Sequence, residues 1–398
     1  MARETMTPEE RVWAAIRLEK PDRVPVDILA SAAFAQITGW TVADWYFNMT
    51  EDQKWASIDK VWDYTGGWDM DMACIVSAPD PVGSRLVSSM AMGVKMKYPG
   101  LDLPDNYTAQ AFEEEVMTLE DYDTIAEIGW QRFMYEDFIS RITDFNQEDI
   151  VKAKEKGAVG FFNSLERWKK RGVVTLYPSY GFPLHPFFRF SMGRSMLKFM
   201  EDLYYHPTLV EKALKTVTRE YIEQIISGCK ALGWKLAFVA EERAEAHFFP
   251  LPIFERFWWP YTQEIVEALW SEGIVTWFHL DLNWDKNIPY FKKLPRGSAI
   301  LALDSITDIF AAKEVLRGHL CLAGQIACGN FFCRGSQLRD RPDQQLSNEK
   351  GSRSRKSDNE NHHQDGALKL CSDRGKGFVP VLAECHNPTQ IIDVRIAF

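Results

Sequence analysis

The sequence predicts an α/β protein of the TIM (β/α)8-barrel class, with an inserted hairpin and an irregular C-terminal segment. Three observations carry this. From Gly172 onward, short apolar strands alternate with amphipathic helices, the rhythm of a parallel sheet covered by helices. With the candidates nearer the two ends, the strands number eight, the count of a closed barrel. No GxGxxG follows any strand, so the main rival, a doubly wound open sheet, has no dinucleotide motif to support it.

Taken in order, Thr7-Pro-Glu-Glu10 opens a helix: Thr7 caps it, Pro8 suits the first turn and Glu10 completes a capping box. Lys20-Pro-Asp22 breaks it, and the apolar stretch 24–28 is the first strand. Residues 70–76 form a second strand, and 86–98 an inserted hairpin followed by the polar stretch 99–107. Later strands fall at 173–176, 236–240, 274–278, 299–303 and 320–323. Helices are predicted between them at 208–232, 253–271, 284–294 and 307–316, with Gly233, Gly273 and Gly318 as stops.

The chain has 398 residues, 46% of them hydrophobic, with 14 Trp and 25 Phe. That richness serves core packing or the walls of a large pocket for a flat or apolar ligand. A net charge of -10 disfavours nucleic acid and anionic membranes. No apolar run is long enough for a membrane span, and the start of the chain lacks a signal-peptide core. Seven cysteines without CxxC spacing suggest a reducing, cytoplasmic setting.

In a TIM barrel, chemistry gathers at the C-terminal ends of the strands. The first strand delivers Asp27. The 173–176 strand leads into a Pro/Gly-punctuated loop carrying Tyr177 and Tyr180. The 236–240 strand delivers Glu241, Glu242 and Arg243, with Glu245 nearby. The 274–278 strand delivers His279, Asp281 and Asn283, and the 299–303 strand delivers Asp304. His279-x-Asp281 is the sharpest feature, because alternate strand residues share a face. Such a pair holds a divalent metal such as zinc or works as an acid–base couple. The competing reading is a hydrogen-bonded structural histidine and an aspartate capping the next helix. Glu241 and Glu242 are either catalytic or a solvated turn. Asp304 is either a substrate contact or a cap for the helix at Thr307.

Several segments resemble the uroporphyrinogen decarboxylase superfamily. They are the opening 7–26 (TPEERVWAAIRLEKPDRVPV), Lys97-Tyr-Pro-Gly100, Leu103-Pro-Asp-Asn106, Glu120-Asp-Tyr-Asp123, Phe278-His-Leu-Asp-Leu-Asn283 and 308–316 (DIFAAKEVL). The resemblance spans roughly residues 5–326 and is strongest to a branch found in anaerobes. It implies a barrel with its site in the mouth, and one of two chemistries. One is cofactor-free decarboxylation of uroporphyrinogen. The other is methyl transfer involving a corrinoid protein, usually with zinc. The decarboxylase carries an arginine-rich stretch after the first strand, whereas residues 27–36 here (DILASAAFAQ) contain no arginine. A substrate with eight carboxylates needs cationic partners. The family's thiol-activating methyltransferases use His-x-Cys and a later Cys on zinc. His279 matches the first position, Asp281 stands where the first Cys would be, and Cys385 lies near the later one.

The resemblance therefore implies a methyltransferase that moves a methyl group between a small methylated substrate or acceptor and a corrinoid protein. A metal would sit on His279 and Asp281, with help from Glu241, Glu242 or Cys385. Asp27, Tyr177, Tyr180, Arg243, Asn283 and Asp304 would contact substrate. A porphyrinogen decarboxylase and a non-catalytic barrel that binds a corrinoid partner are the alternatives. The superfamily also makes a homodimer an option.

Residues 1–326 thus account for seven βα units, and 327–398 form an aberrant tail. The run 334–376 is polar and without apolar periodicity, where a barrel needs a helix. A shifted reading frame past about residue 326 accounts for it. The alternative is a divergent but genuine loop, with 378–382 as the eighth strand and Cys385 near the metal.

Overall fold

A computed structural model describes residues 4–29, 31–71, 81–176, 184–325 and 391–396. By its contacts the chain divides into Met1–Asn330 with Asn387–Phe398, and Phe331–His386; the latter unit lies outside the described residues. The barrel strands are β1 (Val26–Leu29), β2 (Met70–Asp71), β3 (Val174–Thr175), β4 (Leu236–Glu241), β5 (Val275–Leu280), β6 (Ala299–Leu303), β7 (Cys321–Gln325) and β8 (Ile391–Ile396). All pairings among them are parallel, in the spatial order β3-β2-β1-β8-β7-β6-β5-β4. This is the strand order of a TIM barrel.

The seam between β3 and β4 is spanned by local links. Leu184 bridges Ala240 in parallel. The His185 amide donates to the Ala240 carbonyl at 2.9 Å. The Trp234 indole donates to Thr175 Oγ1 at 3.2 Å.

Sequence period explains the layers. Along β4 to β7, Leu236, Val275, Trp277, Ile300, Ala302, Cys321 and Ala323 fill the barrel interior. The alternate residues Ala237, Val239, Phe278, Leu280, Leu301 and Leu303 pack outward on the helices. Both faces of these strands are buried, so they read as continuous apolar runs.

The eighth strand comes from the tail. Ile391–Ile396 pairs with β7 on one side and β1 on the other. Its Ile-Ile-Asp-Val-Arg-Ile sequence is rich in β-branched residues, which suit a strand. The 378–382 segment, expected to take this place, lies outside the described residues.

Three other expectations are corrected. Pro81–Met92 is a helix where a hairpin was expected to begin. Gly93, at φ +67°, ends it, and the hairpin is Lys95–Lys97 against Gln110–Phe112. The segment 284–294 holds only a 3-10 turn at Ile288–Lys293, because Pro289 cannot sit inside an α-helix. The helix expected over 253–271 is two, Leu251–Phe257 and Trp259–Ser271, divided just before Pro260 for the same reason. The N-terminal capping box of Thr7 and Glu10 is present as the sequence predicts.

Beneath the barrel, an ion cluster ties the first helix to the starts of β1 and β2. Arg11, 1% exposed, pairs with Asp22 at 2.6 Å and with Asp69 at 2.5 Å. Arg23 reaches the other Asp69 oxygen at 2.5 Å, and the Val26 amide donates to that oxygen at 2.8 Å. Removing one member of a buried network strands the rest. Asp69→Ala is therefore expected to destabilise the fold by about 3–5 kcal/mol in urea titrations. An effect below about 1 kcal/mol would show that solvent replaces these contacts. The Arg11 hydrogen bond, with two backbone donors, holds the Asp22 carboxyl well below its usual range. Its stabilising contribution is present above the ordinary carboxylate pKa of about 4 and is lost as pH falls further.

Candidate active site

The site is built by strand register. Ala240 of β4 pairs with His279 of β5, His279 with Ala302 of β6, and Ala302 with Ala323 of β7. Residues paired across a parallel sheet project to the same side, so one interior layer reads Ala-His-Ala-Ala. Methyl groups on either side give the imidazole room that larger side chains would fill. His279 is 8% exposed, and the Phe238 ring lies below it at a centroid distance of 5.9 Å.

Just past the ends of β4 and β5, two residues on from Ala240 and His279, come Glu242 and Asp281, on the same side. His279 Nε2 lies 3.3 Å from Asp281 Oδ1. One donor atom from each of Glu242, His279 and Asp281 falls within 4.8 Å of the other two. Among the described residues this is the group of His, Cys, Asp and Glu side chains that could hold a metal ion.

The charges are mutually dependent. Burial pushes the His279 pKa down, but the hydrogen bond and charge of Asp281, with the charges of Glu242 and Asp304, outweigh it and hold the imidazole above its usual value. Burial, and then the charge of Asp281, raise Glu242 against the opposing pull of His279 and Arg243. Two carboxyl groups and an imidazole held this close favour a bound cation, or a shared proton, between them.

The other sequence candidates take different places. Asp27 is fully buried on β1, in register with Met70 of the barrel interior. Glu241 is adjacent to Glu242 and so faces the opposite way, toward the helices; it does not join the cluster at the mouth. Arg243 turns aside to Glu113 at 2.9 Å and to the Ser191 carbonyl at 3.3 Å. Asn283 shapes its own loop, accepting from the Asp285 amide at 3.0 Å and donating to the Ile306 carbonyl at 3.1 Å.

Asp304 accepts from the amides of Leu282 and Ser305. It thereby holds the turn after Asp281, where Leu282 adopts φ +71°, a left-handed conformation unusual for a non-glycine residue. It does not cap the following helix: Asp308 does, accepting from the amides of Phe310 and Ala311 at 2.9 and 3.0 Å. Tyr177, Tyr180 and Cys385 lie outside the described residues.

Sequence reading passed over His185, which is fully buried behind β4. Its signal was weak, since it lies in no strand of the pattern. The alanines flanking His279 were equally silent, because their meaning appears only once register is known.

The model of the uroporphyrinogen decarboxylase (URO-D) family matches residues 141–355, more than half of the chain. The chain belongs to the uroporphyrinogen decarboxylase family. The match runs past residue 326, where the barrel rhythm of the sequence stops. Among solved structures, this family member is similar to a methyltransferase from Methanosarcina mazei, at 16% identity and a TM-score of 0.53. That alignment covers 81% of this chain and 84% of the other. At such low identity the likeness shows the shared fold, and it agrees with a TIM barrel. No curated protein matches the chain. No helix among the described residues is long and apolar enough to cross a membrane.

Proposed function

We propose that this family member is a metal-assisted methyltransferase. It would move a methyl group between a small methylated substrate, or an acceptor, and a corrinoid carried by a partner protein. The observation that supports this most is the Glu242–His279–Asp281 cluster at the barrel mouth.

The donor set suits zinc. Tetrahedral ligands about 2.1 Å from zinc lie about 3.4 Å from one another, and His279 Nε2 and Asp281 Oδ1 stand 3.3 Å apart. Three protein ligands leave a fourth position open, as in catalytic zinc sites. Zinc bound there would supply Lewis acidity toward the heteroatom that carries the methyl group. With two carboxylates and no thiolate, the site is hard, which favours ether or amine substrates over thiols. Asp281 would hold zinc beside His279 Nε2, taking the place of the contact the two side chains make without metal, and Asp304 fixes the turn that carries Asp281. Addition of methyl ethers or methylamines to the protein with a reduced corrinoid protein is expected to change the corrinoid's visible spectrum. An unchanged spectrum across both classes would overturn the reading.

Decarboxylation of uroporphyrinogen fits poorly. The barrel-facing strand ends carry Asp27, Glu242, Asp281 and Asp304, and Arg243 is occupied by Glu113. Eight substrate carboxylates would meet like charge there. Negligible formation of coproporphyrinogen is expected in a direct assay, and turnover at ordinary enzyme rates would contradict the methyltransferase assignment.

A further inference from the structure

Behind the candidate site, on the outer face of β4, lies a second buried polar group that touches none of the three cluster residues by side chain. Glu241 is fully buried. Its Oε1 accepts from the backbone amides of Arg243 at 2.9 Å and Ala244 at 3.2 Å. Its Oε2 accepts from the Trp258 indole at 2.7 Å and lies 3.5 Å from His185 Nδ1.

The chain of contacts continues. His185 Nδ1 accepts from the Phe187 amide at 3.2 Å, so the ring proton belongs on Nε2. Nε2 lies 3.2 Å from Thr262 Oγ1, which in turn donates to the Trp258 carbonyl at 3.0 Å. The imidazole and the hydroxyl are thus linked between the β3–β4 seam and the helix Trp259–Ser271, with the Glu241 carboxyl lying against the ring.

Glu242 sits between the end of β4 and the two amides that Glu241 grips. The backbone angles that aim its side chain are therefore set from both sides. We propose that Glu241 is a positioning residue: by holding the amides of Arg243 and Ala244, its buried carboxyl directs Glu242 toward His279 and Asp281. This rests on the metal reading of the cluster. It explains why two adjacent glutamates stand where β4 gives way to its loop, one fixing the turn and the other facing the mouth.

Zinc affinity of the folded protein, measured by chelator competition, tests this. Glu241→Leu removes both acceptors while keeping bulk, and should weaken zinc about 10–100-fold, the usual cost of losing an outer-shell partner. Glu241→Gln keeps an oxygen for the two amides and should bind zinc close to the wild-type value. Wild-type affinity in the folded leucine variant would overturn the proposal, because a carboxyl needed only for packing would leave metal affinity unmoved. Equal weakening in both variants would overturn it too.

If the wild-type protein binds no zinc, the metal reading fails, and metal-free crystal structures decide the positioning role. The Glu242 carboxyl should leave the cluster in Glu241→Leu and stay in Glu241→Gln; an unmoved carboxyl in both refutes it. If the leucine variant does not fold, amide exchange in the wild-type protein decides. Zinc should slow exchange at Arg243 and Ala244, and unchanged rates would refute the coupling.

Discussion

His279→Ala is expected to lose both zinc and methyl transfer while the barrel stays folded. The imidazole is the one nitrogen donor of the cluster and contacts Asp281 directly. Without it, two carboxyl groups remain to compete with water for the ion. Lewis-acid stabilisation is worth several kcal/mol, so the rate should fall by about a hundredfold to a thousandfold or more. The fold should survive, because the space left beside the Glu242 and Asp281 carboxyls is one that water can enter. The variant is to be compared with wild type by metal content, thermal unfolding and corrinoid methylation. Retention of both metal and activity would move the site elsewhere.

The second large effect concerns β8. A chain ending before Ile391 is expected not to yield stable folded protein. Ile391–Ile396 is paired at four positions with β1 and at four with β7. Each backbone hydrogen bond contributes about 0.5–1.5 kcal/mol net, so losing the strand removes several kcal/mol from a total of about 5–15. It would also leave two parallel edges unpaired, which invites aggregation. Expression of the truncated and full chains, followed by gel filtration and circular dichroism, checks this. A monomeric, cooperatively unfolding truncated protein would show that β8 is dispensable.

Much of the fold was legible in the sequence because both-face burial leaves a plain mark. The runs that became β4 to β7 are bounded by glycine stops and amphipathic helices. The errors had local causes. Pro260 divided one predicted helix and Pro289 shortened another. At 86–92, the second half of a helix ended by Gly93 reads in sequence as the start of a hairpin. The eighth strand was hidden because the largely polar run 334–376 precedes it, and periodicity gives no means of linking Ile391–Ile396 to β7 across that run.

At the site, the alternation rule was enough to join His279 and Asp281. The same rule separates Glu241 from Glu242, but only once the end of β4 is fixed. That boundary is where sequence patterns are least sharp. The role of Asp304 depended on the turn at Leu282, whose left-handed backbone carries no sequence signature. The acid–base and metal readings of His279 rest on the same residues, since a proton and a metal ion occupy the same space between the three side chains.

The central claim is that Glu242, His279 and Asp281 together bind a metal ion. The most direct measurement is an anomalous-difference map at the zinc edge, from crystals of the full chain grown with zinc. The account predicts one strong peak about 2.0–2.2 Å from a donor atom of each of the three side chains. A map with no peak at the barrel mouth, or with zinc held by other residues while these three remain hydrogen-bonded to one another, would contradict it.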